Sequence, residues 1–209
     1  MRKRIDEIAD VRTGYQFRHR LEPDPAGAHL VVQVKDIDVA HAHRLDPAAL
    51  WPVKLPREPG SDLLRQGDVL YLAKGRRNYA TPVGRLPGSA VAAGYFFVLR
   101  VRHEAVRPDF LAWYINQPPA QKYLADFFRG TGIPFIRRED FAALEVPLPP
   151  LDVQERIVAL HALALRESEL LSQLESKRTQ LIRGLCLAAA CRNTHERSEQ
   201  ANGQEVIPT

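Results

Sequence analysis

Three prolines in four residues, Pro147, Pro149 and Pro150, form a strap that is followed at once by a long heptad pattern. Proline lacks an N–H and fixes φ, so Val146–Pro150 cannot be helical and favours a stiff, extended backbone. Beyond it, one seam runs Ile157, Ala164, Leu171, Arg178, Leu185 and the other Leu160, Glu167, Leu174, Leu181, Ala188. Eight of these ten positions are apolar over more than four heptads, which predicts a coiled-coil helix. Asp152 is an N-cap candidate with Glu155 three residues on, close to a capping box. The helix is expected from Asp152 to about Ala190, spanning roughly 58 Å at about 1.5 Å per residue. A helix of that length with an apolar stripe needs a partner. The tail from Arg192 is polar and without periodicity, and is expected to be disordered.

The strap therefore separates a domain from an arm. The domain, residues 1–150, reads as mixed α/β. Runs rich in β-branched and aromatic residues predict strands at His29–Val34, Asp68–Ala73 and Tyr95–Val101. Long Pro- and Gly-rich connections separate them. Pro108 opens a predicted helix in which Phe110, Leu111, Tyr114 and Ile115 recur at helical spacing. Pro118–Pro119 is expected to break it, and a second helix is expected over Ala120–Phe128, ending at Gly130. The fold class is α+β: one mixed α/β domain (1–150), a long C-terminal coiled-coil helix (151–191) and the tail (192–209).

Catalysis finds little support. No phosphate-binding loop, dinucleotide-binding glycine pattern, nucleophile elbow or zinc-protease histidine pair occurs. His41 and His43 lie close together but lack a third ligand. Cys186 and Cys191 are read as small apolar residues, since zinc needs four ligands. Neither a metal nor a cofactor is expected. Charges interrupt every apolar run before about 18 residues, so no membrane helix is expected, and the setting reads as cytoplasmic. The net charge is +4. Its excess lies in the first 150 residues, with 22 basic against 17 acidic side chains, and is mostly arginine, whose planar fork suits phosphate and guanine.

Three loops concentrate residues suited to nucleic acid. Ala73–Tyr79 is a basic loop directly after a predicted strand. It carries Lys74 for phosphate, Arg76, Arg77 and Asn78 for base edges, and Tyr79. A second loop holds Arg12, Tyr15 and Arg18. A third holds Arg129, Thr131, Arg137 and Arg138 around glycines that let backbone N–H groups approach a phosphate.

Four ordered segments resemble the target-recognition domain of type I restriction-modification specificity (S) subunits. They are R-I-D-E-I-A-D-V-R-T-G (4–14), L-R-Q-G-D-V-L (64–70), P-D-F-L-A-W-Y-I-N (108–116) and F-A-A-L-E-V-P-L-P-P-L-D-V-Q-E-R-I (141–157). Val153 stands where the family pattern has Glu. The resemblance implies a DNA-reading subunit without catalysis of its own, in a half-size form with one recognition domain and one long helix. It implies double-stranded DNA as ligand, a methyltransferase subunit docked on the helix, and a restriction/translocase subunit as a further partner. The unpaired seam, through Ile157, Leu160, Ala164, Leu171, Leu174, Leu181 and Leu185, is expected to form a homodimer. The competing reading is a protein–protein adaptor of a phage-defence complex with non-specific DNA binding.

Overall fold

The computed structural model describes residues 1–17, 21–38, 43–130 and 132–202, with side chains as far as residue 190. It forms two compact units, Met1–Ala162 and a second beginning at Leu163. In chain order the elements are β1 (Arg2–Arg4), α1 (Ile5–Ile8), β2 (Ala9–Thr13), β3 (His29–Val32), β4 (Ile37–Asp38), β5 (Arg44–Leu45), β6 (Trp51–Val53), β7 (Val69–Leu72), β8 (Ala80–Pro82), β9 (Ala90–Ala92) and β10 (Phe96–Val101). Helices α2 (Pro108–Ile115), α3 (Pro118–Ala125) and α4 (Arg138–Ala142), strand β11 (Glu145–Pro147) and helix α5 (Leu151–Asn202) follow. Among the described residues, three single 3₁₀ turns lie in the connections.

The central sheet has the order β2-β10-β7-β8, antiparallel throughout, with Phe97 opposite both Thr13 and Tyr71. Its middle strands are buried on both faces, so their sequences read as continuous apolar runs. Alternation then sends side chains into two cores. Val69, Tyr71, Phe97 and Leu99 join α1, α2, α3 and α4 in the first, where Tyr71 stacks on Phe141 at 4.3 Å. Leu70, Leu72, Phe96 and Val98 enter the second, with Val32, Ile37 and Tyr79. Each such buried side chain contributes roughly 1.5–3 kcal/mol. A smaller sheet, β6-β3-β9, encloses a third core of Tyr15, Val31, Val53 and Val91. The two sheets meet at Gly14–Tyr15, where the Tyr15 N–H donates to the Ala92 carbonyl at 2.7 Å. A Cβ on Gly14 would collide with the Ala93 carbonyl oxygen, so only glycine fits.

The LRQGDVL segment owes its Asp to an internal ion pair. Asp68 is 2% exposed and takes a two-pronged contact from Arg100, Nε at 2.8 Å and Nη2 at 2.6 Å. The same carboxylate accepts from the Arg65 N–H, and Arg100 also donates to the Leu63 carbonyl. The strand entry is thereby tied to β10.

The proline strap begins as an edge strand. β11 pairs with β1 in a two-stranded ladder, where Pro147 opposite Arg2 costs no more than one donor. The strap ends on Gln154, which is completely buried. Its Oε1 accepts from the Arg107 N–H, and its Nε2 donates to the Ala105 and Pro149 carbonyls. One carboxamide so ties the strap, the approach to α2 and the first turn of α5. Ile157 and Val158 pack against the first core, which places the opening turns of α5 inside the first unit.

Several boundaries differ from expectation. Pro118 and Pro119 occupy the first positions of α3 rather than a gap before it; their missing N–H groups are unneeded there. α3 stops at Ala125, and Phe127 and Phe128 cover the core from the following turn. Asp152 is not the N-cap of α5 but lies in its first turn, where Arg156 reaches it at 3.0 Å. α5 also continues to Asn202, beyond the expected end at Ala190. The segment after Arg192 contains no proline or glycine before Gly203, so polarity alone does not interrupt the helix. Residues 203–209 lie outside the described residues.

Replacing Gln154 by Leu should lower stability by roughly 3 kcal/mol, because a buried N–H and two carbonyls lose their partner. Urea unfolding followed by tryptophan fluorescence measures this. A loss under 1 kcal/mol would show that the carboxamide is not the fastener.

Candidate nucleic-acid interface

β7 ends at Leu72 and the chain enters Ala73–Tyr79. Gly75 sits at φ +121°, a conformation that favours glycine, and turns the loop outward. Lys74, Arg76 and Arg77 are exposed. Asn78 is half-buried and donates its Nδ2–H to the Leu72 carbonyl at 2.7 Å, closing the loop on its own strand.

The third candidate loop lies alongside. Arg129 and Phe135 exchange both backbone hydrogen bonds, 3.0 and 2.9 Å, and Gly130 takes φ +106°. The returning chain then pairs with the first loop. The Gly75 N–H donates to the Pro134 carbonyl at 2.8 Å and the Ile136 N–H to the Ala73 carbonyl at 3.1 Å. The start of β10 joins them, since the Ala73 N–H donates to the Tyr95 carbonyl at 2.9 Å. Three segments remote in sequence thus form one backbone-stitched surface.

That surface is basic with aromatic rings between the charges. Lys74, Arg76, Arg77 and Arg129 are exposed, and none makes an ion pair among the described residues. Tyr95, Phe135 and Ile133 are 49%, 43% and 66% exposed. The Lys74 ammonium lies 5.7 Å from the Tyr95 ring centroid. Cations neutralise phosphates, and open rings stack on bases or pack against sugars. Sequence reasoning placed Ile133 in the third loop but did not single out Tyr95 or Phe135. The signal available was an apolar Ile-Pro-Phe at a glycine turn, where a solvated loop has no use for it.

Other candidate residues fall elsewhere. Tyr79 is 2% exposed and belongs to the second core, stacked on His43 at 4.5 Å; it is a packing residue, not a surface ring. Its hydroxyl finds no partner among the described residues, and burial pushes the phenol up to about 12. Burial also lowers the pKa of the neighbouring His43 imidazole. Tyr15 is 1% exposed, with its hydroxyl on the Arg57 backbone and the Arg57 guanidinium 4.5 Å above its ring. Arg12 lies within β2 and donates to the Ser61 carbonyl. The second candidate loop is therefore spent on packing over its described residues; Arg18, like Thr131, lies outside them. Arg137 makes a two-pronged contact with Asp140 at 2.8 and 3.0 Å, which holds that carboxyl below its usual range, and Arg138 reaches Glu139 at 3.5 Å. Neither is a free cation. Among the described residues no group of three metal-ligating side chains occurs, and no helix is long and apolar enough to cross a membrane.

No protein-family model and no curated protein sequence matches the chain. Solved structures do. A chain from an assembly of the type I restriction-modification system superposes with a TM-score of 0.59 at 20% identity, over 85% of this chain and 41% of that one. The HsdS subunit from Thermoanaerobacter tengcongensis gives 0.54 at 20% identity, over 80% and 39%. The type I S subunit from M. genitalium gives 0.53 at 15% identity, over 86% and 42%. The chain has the S-subunit fold. It spans about two fifths of the length of the solved chains it matches. The S-subunit fold accounts for both the mixed α/β domain and the long C-terminal helix.

Burial of two phenols has a measurable consequence. Unfolded tyrosine ionises near pH 10, whereas Tyr79 stays neutral to about 12 and Tyr71 is raised further. The unfolded state therefore loses protons first as pH rises, and stability should fall above about pH 10. Tyr79→Phe removes an unpaired buried hydroxyl. It should leave stability at pH 7 unchanged or raise it by up to about 1 kcal/mol, and should flatten the alkaline loss. Denaturant titrations at pH 7 and 10.5 test both.

Proposed function

We propose that this chain is a DNA sequence-specificity subunit of a type I-like restriction-modification system. It binds a specific half-site of double-stranded DNA and recruits methyltransferase and nuclease/translocase subunits, with no catalysis of its own. The carrying observation is the stitched surface of Lys74–Arg77 with Arg129–Phe135, four unpaired cations interleaved with exposed rings on an S-subunit fold. Lys74, beside Tyr95, is suited to a phosphate. Arg76 and Arg77, projecting from the Gly75 turn, have free forks for guanine edges. Asn78 acts through Leu72 by holding the loop's shape. The long α5 helix, with its apolar stripe exposed, is the element on which a second subunit docks.

The roles separate in a binding experiment. Lys74→Ala should weaken binding on all sequences alike and reduce the slope of log K against log salt by about 0.9. Arg76→Ala and Arg77→Ala should instead relax preference at one base pair by about 1–3 kcal/mol. Fluorescence anisotropy across a salt series, on sites first identified by mapping methylation after co-expression with the methyltransferase, measures both. Binding that is insensitive to all three substitutions would contradict the assignment.

A further inference from the structure

Beside the Lys74 loop, the segment Gly132–Phe135 holds apolar side chains out in water. Ile133 is 66% exposed and Phe135 43%, with Pro134 between them. A Cβ on Gly132 would meet nothing within 4 Å, so the approach to Ile133 runs in open space. The residue after Phe135 behaves in the opposite way: Ile136 is 2% exposed and belongs to the first core. The two exposed side chains therefore project from a point anchored in the interior.

The anchoring is by backbone on both sides. Phe135 is bridged to Lys74 and to Arg129. Its N–H donates to the Arg129 carbonyl at 2.9 Å, the Gly75 N–H to the Pro134 carbonyl at 2.8 Å and the Ile136 N–H to the Ala73 carbonyl at 3.1 Å. Pro134 adds a fixed φ of its own. Directly opposed residues of antiparallel neighbours put their side chains on one face, with Cβ atoms about 5 Å apart. Phe135 thus stands between two cations whose Cβ atoms are about 10 Å apart.

We propose that Ile133 and Phe135 form a wedge that enters the minor groove of a DNA duplex and unstacks one base step. This rests on the specificity-subunit reading above and adds a mode of recognition to it. The minor groove is about 6 Å wide, so Lys74 and Arg129 reach the phosphate chains at its two edges while the apolar pair points between them. Isoleucine has neither a hydrogen bond to offer a base edge nor a ring to stack. Phosphate binding and base-edge readout both leave Ile133 unused, whereas insertion between bases employs it. Unstacking is costly, and a braced, pre-placed side chain can impose it where a yielding loop would bend away. Pyrimidine–purine steps open most readily, so the wedge selects such a step without hydrogen-bonding to it.

The test uses the purified whole chain and duplexes that it selects from a random pool. Those duplexes should share a pyrimidine–purine step. With the stacking-sensitive fluorescent base aminopurine at that step, the wild-type chain should raise its fluorescence several-fold, and energy transfer between labelled ends should report a bend. Ile133→Ala should bind about 10-fold more weakly, having lost a buried aliphatic contact. At saturating protein it should leave the fluorescence near that of the free duplex, and Ile133→Met should restore the rise. Lys74→Ala should weaken binding yet still open the step once saturated, which separates the wedge from the phosphate contact. Thermal unfolding of all three variants should match wild type. A complex that leaves stacking intact at every position, as contact with a thymine methyl alone predicts, would overturn the wedge and leave the basic surface standing. So would Ile133→Ala opening the step as wild type does. Failure to select any duplex would overturn both the wedge and the specificity-subunit reading.

Discussion

One buried carboxamide connects the mixed α/β domain to the opening of its long helix. Gln154 satisfies an N–H before α2 and carbonyls on either side of it, while Pro149 and Pro150 deny the chain any alternative path. A buried amide is tolerated when all its partners are present and is costly when one is lost. The carboxamide therefore acts as an address for the opening of α5. The helix starts where these three backbone groups converge, with Ile157 and Val158 pressed on the domain core. The strap sets the path, and Gln154 holds its end.

The central sheet supports the basic loop surface in a similar way. β7 and β10 are buried on both faces and anchored by the Asp68–Arg100 pair, so the loop leaving β7 starts from a rigid support. Gly75 turns that loop outward, and Asn78 returns it to Leu72. The hydrogen bonds from Gly75 and Ile136 then fasten a second turn beside it. Cations on such a surface keep their spacing without spending their own hydrogen bonds on it, which leaves Arg76, Arg77 and Arg129 free for a ligand.

Local signals were legible in the sequence, and long-range ones were not. The strap, the heptads and the strands at β7 and β10 follow from proline chemistry and apolar period, which need only neighbouring residues. The three-residue strands β1, β8, β9 and β11 carry no such period. They exist because β1 meets β11 from the far end of the domain, and β9 meets β3 in parallel. Tyr15 and Tyr79 sat in basic loops and looked like surface rings, but their burial depends on Val53, Val91 and His43, distant in sequence. The pairing of the Lys74 and Arg129 loops was invisible for the same reason. So was the exposed placement of Phe135, which is bridged to both Lys74 and Arg129. Two neighbouring prolines also proved ambiguous, since Pro118–Pro119 ends one helix and starts the next.

We propose that DNA lies across the stitched surface of the Lys74 and Arg129 loops. Amide hydrogen exchange with and without a DNA duplex containing the recognised site tests it most directly. Protection is predicted to rise together in Ala73–Tyr79 and in 132–136, with the β3–β6–β9 sheet unchanged. Protection confined to α5, or to the Arg12–Phe17 segment, would contradict the account.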